Sequence, residues 1–476
     1  MNYSNALTNP IFKIIQTVSD ELEYPTYVVG GWVRDLLLNR KKEKTDIDIV
    51  CVGSGINLAN KVAIKIGDKA KLKVFKKFGT AMIHYKGENY EFVGARKESY
   101  RSESRKPIIE NGSLEDDQNR RDFTINAMSI QLNKNKYGLL IDPFEGRKDL
   151  VNKIIKTPLN PQITYNDDPL RMMRAIRFAT QLNFRLDKRS YTTITKNAKR
   201  LSIISQERIT DELNKIILSP TPSTGFKMLF NTQLLHQFFP EFVKLQGIEA
   251  IGKHEHKDNF YHTIEVLDNI SKFSSNLWLR WAAILHDIAK PNTKKYEEGN
   301  GWTFHTHEYV GAKMVPGIFR RLKLPLNDKM RYVQKLVRLH LRPIVLAQDI
   351  VSESAIRRLL FDAGDDIEDL MTLCDADITS KNPKKVKRYL NNFQIVRKKL
   401  KEVEKKDHIR NFQPPIDGLE IMKIFNIQQG SNIGILKTAI KDAILDGKIR
   451  NNKKEAYKFL VKTAKKINLE PVKQNT

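Results

Sequence analysis

The sequence predicts an α+β protein in which an N-terminal α/β head is followed by an all-helical neck, body and tail. Two observations support this prediction. From Tyr27 to about Leu150, short apolar segments typical of β-strands alternate with helical patterns. From about Asn152 onward, apolar residues recur at spacings of three and four, and strand signals do not return.

The head begins with a predicted amphipathic helix over residues 1–24. Five segments then have the composition of short strands, because β-branched and aromatic residues dominate them. They are TYVVG, TDIDIV, LKVF, TAMIHY and YEFVGAR. We therefore expect these strands to form the sheet of the head.

The helical part divides where its composition changes. Segments such as DPLRMMRAIRFATQL and SQERITDELNKIIL predict a helical neck. Residues 381–406 contain eleven Lys or Arg and two Glu, which indicates either a solvated basic helix or an RNA-facing surface. We expect a head at 1–150, a neck at 151–250, a body at 251–380 and a basic helical tail at 381–476.

Composition and charge restrict the class of protein. The 476 residues include 82 Lys+Arg against 55 Asp+Glu, a formal net charge of +27. This excess favours a polyanionic partner, although a lysine-rich proteome would produce the same bias. The sequence has no apolar run that would span a membrane and no N-terminal signal peptide pattern. Cys51 and Cys374 lie far apart in apolar contexts, so we expect reduced thiols and a cytoplasmic protein.

Asp46 and Asp48 are separated by one residue in the segment TDIDIV. In a strand both carboxylates face one side, while Ile47, Ile49 and Cys51 face the core. Two carboxylates on one face suit two Mg²⁺ ions about 3.5–4 Å apart, the arrangement that in-line phosphoryl transfer requires. The alternative is a pair of solvated aspartates on an exposed strand.

A strand, a tight turn and a helix are predicted just upstream, in the segment VVGGWVRD. Gly30 and Gly31 allow the backbone to approach a triphosphate, and a helix N-terminus offers free N–H groups. Arg34 is suited to a bidentate phosphate contact or, alternatively, to an ion pair with an acidic side chain. Together with the paired aspartates, the turn is typical of a polymerase-type nucleotide site.

The chain from about residue 25 to 230 resembles the class II CCA tRNA nucleotidyltransferase and bacterial poly(A) polymerase family. Five motifs in the family's order carry the resemblance. They are VVGGWVRDLLL with TDIDIV, RRDFTINAM, DPFEGRKDL, DDPLRMMRAIRF, and QERI followed by EL. The resemblance implies a polymerase-beta-like head, tRNA as partner, CTP and ATP as substrates, and Mg²⁺ at the transferase site.

The resemblance also implies roles for single residues. Glu91, on a predicted strand, would join Asp46 and Asp48 as a third catalytic carboxylate, with a solvated glutamate as the alternative. Arg120 and Arg121 would place cations beside the phosphates, or would form a surface cluster of ion pairs. The nucleotide-binding residues implied are Gly30, Gly31, Arg34, Arg121, Asp122, Asn126, Asp168, Arg171 and Arg174.

The fourth motif resembles the base-selecting helix of the family. Asp168 before Pro169 is suited to cap that helix, and this is its structural alternative. The resemblance implies that Asp168 and Arg171 face a nucleobase edge, presenting an acceptor and donors that replace a template base. Arg174, one turn after Arg171, is expected to pair with Asp168 or to contact phosphate. Asp167 stands where the family usually has Glu, which leaves its role open.

The segment from Ser99 to Asp117 is polar and poor in strand signals. It resembles the flexible loop of the family, which helps to switch from C to A addition. We therefore expect an irregular loop there.

Residues 255–380 carry most of the histidines, in an order that resembles the HD phosphohydrolase superfamily. Imidazole and carboxylate ligands suit Mn, Ni, Fe or Mg and the activation of a metal-bound water. His305 is close enough in sequence to exchange roles with His307. The implied metal ligands are His262, His286, Asp287, His307, His340 and Asp375.

Three functions are compatible with these patterns. The first is full CCA addition to tRNA, with HD hydrolysis as a possible second activity of the chain. The second is poly(A) polymerisation, or addition restricted to A or to CC. The third is an HD phosphohydrolase whose head only binds RNA, and the intact pair of Asp46 and Asp48 argues against it.

Overall fold

The computed structural model describes residues 1–40, 46–101, 104–248, 250–251, 254–255, 258–299, 301–347, 352–380, 382–410 and 412–472. The chain forms two compact units, Met1–Pro240 and Glu241–Thr476. The first contains a β-sheet and helices, and the second is mostly helical. The predicted mixed head followed by a mostly helical remainder is therefore confirmed.

The first unit is built on a seven-stranded sheet with the strand order β3-β4-β5-β2-β1-β8-β9. Strands β2 and β5 are parallel, and the other neighbouring pairs are antiparallel. All five strand segments predicted from the sequence belong to this sheet. The strands of the head are β1 Thr26–Val29, β2 Asp46–Cys51, β3 Lys71–Phe75, β4 Thr80–Tyr85, β5 Glu88–Gly94, β6 Arg96–Arg101, β7 Ser104–Asn111, β8 Ser129–Gln131 and β9 Leu140–Ile141.

Helices α1 (Pro10–Glu21), α2 (Gly31–Leu37) and α3 (Gly55–Ile66) accompany these strands. Helices α1 and α3 pack on each other, and α3 also packs on β4 and β5. In β2, the fully buried side chains of Ile47 and Ile49 belong to the core, whereas Asp46 is exposed. The alternation predicted for β2 is confirmed, and it leaves Asp46 and Asp48 on the face opposite Ile47 and Ile49.

The expectation of an irregular loop between Ser99 and Asp117 is wrong. Strands β6 and β7 form an antiparallel hairpin in which Arg96 is opposite Asn111 and Ser99 is opposite Ile108. Main-chain hydrogen bonds hold such a hairpin without an apolar side-chain pattern, which is why its composition gives little strand signal. The hairpin is followed by α4 (Leu114–Asn119), which Ser113 and Asp116 cap reciprocally.

The remainder of the first unit is helical. Helix α7 packs on both α9 and α10, with Met172, Met173 and Ile176 fully buried. The paired short strands β10 (Ile154–Ile155) and β11 (Arg185–Leu186) interrupt this part, so strands do return after residue 152. The helices are α5 Gly146–Asn152, α6 Pro161–Asp167, α7 Leu170–Leu182, α8 Lys188–Asn197, α9 Gln206–Ile217, α10 Pro222–Asn231, α11 Leu235–Phe238 and α12 Pro240–Val243, the last of which reaches into the second unit.

The second unit packs its helices around an apolar core that includes Phe260, Trp281 and Phe319, all fully buried. Two short hairpins, β12 Ala250–Ile251 with β13 His254–Glu255 and β14 Lys295–Glu297 with β15 Gly301–Thr303, lie between the helices. The helices are α13 Asn259–Ser271, α14 Leu277–Leu285, α15 Lys290–Thr293, α16 His307–Arg321, α17 Asp328–Leu339, α18 Leu341–Leu346, α19 Glu353–Ala363, α20 Ile367–Asp377, α21 Pro383–Asp407, α22 Gly418–Phe425, α23 Ser431–Leu445 and α24 Lys453–Lys465.

The basic segment predicted at 381–406 lies mostly in α21, whose buried residues Phe393, Val396, Leu400 and Val403 follow a spacing of three and four. This stripe faces the body, since α21 packs on α19, and the lysines occupy the remaining surface. Among the helices that the structure describes, none combines the length and apolarity needed to cross a membrane.

Candidate functional site

The paired aspartates of β2 lie beside a third carboxylate on the neighbouring strand. Asp48 is directly opposite Glu91 in the parallel register of β2 and β5. Asp48 is half-buried, whereas Asp46 and Glu91 are exposed. Since opposite residues of adjacent strands share a face, the three carboxylates form one acidic cluster on the sheet.

The acidic cluster perturbs the pKa of its central member. Burial and the neighbouring carboxylates Glu91 and Asp46 raise the pKa of Asp48 to about 6, against the lowering effect of Arg121. Ionised carboxylates held this close together repel one another unless a cation lies between them. Clustered carboxylate oxygens are the ligands preferred by hard divalent ions, so the residues present fit a divalent metal ion such as Mg²⁺.

Asn89 and His84, which the sequence analysis did not single out, extend the acidic cluster. Asn89 Nδ2 donates to Asp46 Oδ1 at 3.1 Å, and His84 Nδ1 lies 3.0 Å from Asn89 Oδ1. A hydrogen bond to a carboxylate fixes its orientation, so Asn89 positions Asp46. Such a partner becomes recognisable only from the strand register, because Asn89 lies 43 residues from Asp46.

Gly30 brings the turn after β1 directly against the acidic cluster. Its φ of 74° is in the left-handed region. A Cβ at this position would lie 3.1 Å from Asp48 Oδ2 and 3.2 Å from Arg121 Nη1. Glycine is therefore required both by the backbone conformation and by the close approach. Gly31 is the first residue of α2.

Arg34 takes the alternative role of an ion-paired residue. Its guanidinium is buried and pairs with Asp35 at 2.9 Å. Its Nη1 also donates to Asn126 Oδ1 at 2.8 Å, and Asn126 Nδ2 donates to Asp122 Oδ1 at 3.0 Å. Arg34, Asn126 and Asp122 thus bond to one another, and the structure places them next to the turn at Gly30.

Arg120 and Arg121 share a fully buried acidic partner, Asp117, which sequence reasoning did not assign. Arg121 Nε donates to Asp117 Oδ2 at 3.0 Å, and Arg121 Nη1 donates to the carbonyl oxygen of Asn126 at 3.3 Å. These bonds hold the Arg121 guanidinium beside Gly30 and the acidic cluster. Its positive charge is available there to phosphate groups.

Arg174 pairs with Asp122, and not with Asp168 as one expectation had it. The Arg174 Nη2 to Asp122 Oδ2 distance is 2.6 Å. Burial opposes ionisation of Asp122, but Arg174 and Asn126 outweigh it and lower the pKa of Asp122 to about 2. This ion pair joins the RRD motif of the head to helix α7.

Asp168 and Arg171 lie near the start of α7, which begins at Leu170. Asp168 Oδ1 accepts from the backbone N–H of Leu170, the first residue of α7, at 3.1 Å, while Pro169 occupies the N-cap position. Asp168 Oδ2 lies 3.4 Å from Arg208. Arg171 is buried, and its Nη2 donates to the carbonyl oxygen of Arg120 at 2.7 Å.

Glu212 and Arg177, which sequence reasoning did not select as site residues, link α9 to α7. The Arg177 Nε to Glu212 Oε2 distance is 2.5 Å, and both side chains are largely buried. With Asp168–Arg208, this gives two ion pairs between the motif DDPLRMMRAIRF and the QERI motif that follows it. The fourth and fifth motifs therefore contact each other in the folded chain.

A second cluster of titratable groups lies in the body. His262 is on α13, His286 and Asp287 follow α14, His307 begins α16, and His340 separates α17 from α18. Two sets of ligand atoms converge within 4.8 Å, one from His262, His286 and Asp287 and one from Asp287, His307 and His340. Asp287 bridges the two sets. We call these residues, with Asp377, the HD cluster.

The imidazoles of the HD cluster are oriented by main-chain bonds. Nδ1 of His286, His307 and His340 each lies 2.7–2.8 Å from the carbonyl oxygen three residues earlier. A carbonyl only accepts, so Nδ1 carries the proton and, in a neutral ring, Nε2 presents a lone pair. The Nε2 atoms of His307 and His340 face each other at 3.3 Å.

Opposed lone pairs repel, so this arrangement needs a positive charge at its centre. Either protons or a metal ion satisfies it, and the set of imidazole and carboxylate donors suits a transition metal. Although burial opposes it, the carboxylates of Asp287 and Asp377 raise the pKa of His286 to about 10. Burial opposes ionisation of Asp287 as well, but His286 and Lys290 hold the pKa of that carboxyl well below its usual range.

Two sequence assignments in the body need comment. Asp375 was expected among the metal ligands, but its carboxylate pairs with Arg397 at 2.6 Å and is not among the converging ligand atoms of the described residues. Asp377 lies in the HD cluster instead, 2.9 Å from His262 Nε2 and 3.4 Å from His286 Nε2. His305 is exposed and lies apart from the cluster, so His307 does not exchange roles with it.

Three family models match the chain. They describe a poly A polymerase head domain at residues 26–156, a probable RNA and SrmB-binding site of polymerase A at 183–245, and an HD domain at 259–382. These segments contain the acidic cluster and the HD cluster.

Curated relatives and a solved structure agree with the family models. The chain is 30% identical to an A-adding tRNA nucleotidyltransferase of Deinococcus radiodurans, over 74% of this chain and 80% of that protein. It is 27% identical to a CCA-adding enzyme of Geobacillus sp., over 94% of this chain and 95% of that protein. Its fold is similar to the crystal structure of the Bacillus stearothermophilus CCA-adding enzyme in complex with CTP, with a TM-score of 0.67 and 24% identity, over 97% of this chain and 99% of that one. The chain is therefore a nucleotidyltransferase that belongs to the tRNA nucleotidyltransferase and poly(A) polymerase family.

Proposed function

We propose that the chain adds C, C and A to the 3′ end of tRNA from CTP and ATP, without a nucleic-acid template. The acidic cluster of Asp46, Asp48 and Glu91 beside Gly30 and Arg121 carries the proposal. The similarity to CCA-adding enzymes over nearly the whole chain supports it.

In this proposal the residues of the head orient the reacting groups. Asp46, Asp48 and Glu91 would hold Mg²⁺, which would supply charge neutralisation at the transferred phosphate and a lower pKa for the attacking hydroxyl. Gly30 allows the triphosphate to approach the turn, and Arg121 neutralises phosphate charge. Asn126 and Asp122, held by Arg34 and Arg174, form the polar wall next to the sugar.

Base selection is assigned to the start of α7. Asp168 offers acceptor oxygens for an exocyclic amino group, and Arg171 offers donors for ring nitrogen and carbonyl acceptors. Arg171 uses two of its five N–H groups on backbone carbonyls, which leaves others for a base. Both CTP and ATP present an amino group, so one acceptor serves both substrates.

Four parts of the chain share this work in the proposal. The head at 1–150 transfers the nucleotide, and the neck at 151–250 selects the base and binds RNA. The body at 251–380 carries the HD cluster. The tail at 381–476 contributes positive charge that attracts the phosphates of tRNA.

One assay tests the specificity. The protein is incubated with Mg²⁺, labelled CTP or ATP, and tRNA that lacks its last three nucleotides. Growth by C, C and A that then stops is the expected result. If the protein adds A only to tRNA that already ends in CC, its specificity would match that of the A-adding relative instead. Unlimited growth by A would indicate a poly(A) polymerase.

The HD cluster favours a second activity, a metal-dependent phosphohydrolase. Its buried imidazoles and carboxylates suit Mn, Ni, Fe or Mg, which would supply an activated water. Release of phosphate from phosphomonoesters or opening of cyclic phosphates tests this activity. A transition-metal chelator should block hydrolysis and leave Mg²⁺-dependent transfer intact, and loss of both activities together would contradict separate centres.

A further inference from the structure

The acidic cluster has two sides, and the in-line geometry of phosphoryl transfer gives each a different role. The attacking oxygen and the leaving pyrophosphate lie on opposite sides of the transferred phosphorus. If the triphosphate occupies one side of Asp48, the 3′ end of the RNA must therefore approach from the other. This inference rests on the proposed transferase function and extends it to the path of the RNA.

The triphosphate side is the side of β1. Gly30 directly follows β1, and a Cβ at this position would lie 3.1 Å from Asp48 Oδ2 and 3.2 Å from Arg121 Nη1. The turn at Gly30, the start of α2 and the guanidinium of Arg121 all lie there. The RNA side is then the side of β5, β4 and β3, which follow β2 in the sheet.

Residues on that side form continuous rows across the sheet. Asp48 is opposite Glu91, Glu91 is opposite Met82, and Met82 is opposite Lys73. The strand spacing of about 4.8 Å places Lys73 roughly 14 Å from Asp48. All four side chains share one face, because directly opposite residues point the same way.

A second row runs parallel to the first. Asp46 is opposite Asn89, Asn89 is opposite His84, and His84 is opposite Lys71. This row also carries the hydrogen bonds from His84 through Asn89 to Asp46. The acidic cluster is therefore continuous with the face of β3 that bears Lys71, Lys73 and Phe75.

The face at β3 is exposed, basic and aromatic. Strand β3 is at the edge of the sheet, and its side chains of Lys71, Lys73 and Phe75 are exposed, Phe75 by 42%. Among the described residues, Lys71 and Lys73 form no ion pair with an acidic side chain. The following turn adds Lys76, Lys77 and Phe78, the last 67% exposed.

We propose that the single-stranded 3′-terminal nucleotides of the RNA cross this face to reach the acidic cluster. Lys71 and Lys73 bind the phosphates, and Phe75 stacks on a base; we call these three residues the edge track. Met82 lies between the edge track and Glu91, with a polarisable side chain suited to contact with bases.

This chemistry fits a growing RNA end. Lysines and a stacking aromatic hold single-stranded nucleic acid without reading its sequence, because every base has a stacking face and every nucleotide a phosphate. An enzyme that adds successive nucleotides meets a different terminal base in each round. A sequence-tolerant surface accepts all of them, while base choice stays with the incoming nucleotide.

A matched pair of double variants tests the edge track. The first is Lys73→Ala with Phe75→Ala. The control is Lys61→Ala with Ile64→Ala, which removes one exposed lysine and one exposed apolar side chain from α3, the helix packed on the other face of the sheet. We expect the first variant to raise the KM for tRNA roughly tenfold or more, with the kcat at saturating tRNA and the KM for CTP retained. The control should match the parent.

Salt dependence separates a phosphate contact from a general loss of structure. Removal of one lysine–phosphate contact on a single strand lowers the slope of log affinity against log salt by about 0.7.

A second measurement places a photo-crosslinking phenylalanine analogue at position 75 of the otherwise unchanged protein. Crosslinks to the last nucleotides of the tRNA are expected, and crosslinks confined to the stem would overturn the edge track.

The outcomes also separate this inference from the proposed function. If the parent extends tRNA but both double variants behave alike, the edge track is wrong and the transferase function stands. If the parent does not extend tRNA, the proposed function itself fails. If the first variant loses kcat and its KM for CTP rises, Lys73 and Phe75 support the catalytic residues, and the edge track is also rejected.

Discussion

The acidic cluster of the head and the HD cluster of the body are both built around aspartates, yet their charges are balanced differently. In the head, burial and two neighbouring carboxylates raise the pKa of Asp48 to about 6. In the body, burial also opposes ionisation, but the neighbouring cations hold the pKa of Asp287 and Asp377 well below the usual range. The HD cluster thus balances its own charge, whereas the acidic cluster is left for a ligand to neutralise.

The difference follows from the partners that each fold supplies. Arg121, the cation that lowers the pKa of Asp48, also forms an ion pair with the buried carboxylate of Asp117. Asp287 lies within 3.3 Å of His286, His307 and Lys290. Since the same substitution of Asp by Asn removes repulsion in one cluster and attraction in the other, it should change their stability in opposite directions.

The largest expected effect is on nucleotide transfer. Asp48→Asn removes a charge from the acidic cluster and should reduce kcat on the order of a thousandfold, since neutralising the transferred phosphate accounts for several kcal/mol. Single-turnover transfer to tRNA measures this loss, and tRNA binding should change little. Asp68→Asn, an exposed acid of the same unit, is the matched control. Near-normal transfer by Asp48→Asn would reject the assignment of the acidic cluster.

The next effect concerns the HD cluster, where two aspartates of one helix should behave differently. Asp377→Asn removes a contact of His262 and His286, and we expect the affinity for Mn²⁺ or Ni²⁺ to fall at least about tenfold. The metal-free protein should lose about 3 kcal/mol of unfolding free energy, because a buried cation loses its partner. Asp375→Asn, which breaks only the pair with Arg397, is the control.

Calorimetric titration with each metal gives the metal affinity. Denaturant unfolding in chelator gives the unfolding free energy of the metal-free protein. Asp375→Asn should keep the affinity of the parent, and its unfolding free energy should change by less than about 1 kcal/mol, as for a partly exposed ion pair. Equal losses of metal affinity in Asp377→Asn and Asp375→Asn would show that Asp377 has no specific role in binding the metal.

Five strands of the head could be predicted because β-branched and aromatic residues dominate them, whereas β6, β7, β8 and β9 were missed. Within a strand, side chains alternate between the two faces with a period of two. The predicted positions of Asp46 and Asp48 on one face and Ile47 and Ile49 on the other follow from that period alone. The neighbouring Glu91 also fell on a predicted strand. Which strand it pairs with depends on the crossover between β2 and β5, and local composition carries no information on it.

Other partners depend on three-dimensional packing. Asp375 and Asp377 lie on one helix, about 200° apart around its axis, and only the packing of α20 on α13 decides which one faces His262. Arg174 was expected near Asp168, its sequence neighbour, but it reaches Asp122 of the head. The motifs identified which residues assemble, and the packing determines which atoms bond.

The smallest expected effect is a gain in stability, and it tests the charge imbalance of the acidic cluster. The folded-state pKa of Asp48 is raised from 3.8 to about 6, so its ionisation costs more in the folded than in the unfolded chain. The contribution of Asp48 to the stability of the metal-free parent should therefore fall as pH rises from about 4 to about 6, and then level off. Asp48→Asn should escape this loss and be more stable than the parent above pH 6 by about 1–2 kcal/mol, a value reduced for the partial exposure of Asp48. Denaturant unfolding in chelator at several pH values measures this difference in unfolding free energy between Asp48→Asn and the parent. Mg²⁺ should reduce the difference. A difference that is independent of pH, or a less stable variant, would show that the acidic cluster balances its charge as the HD cluster does.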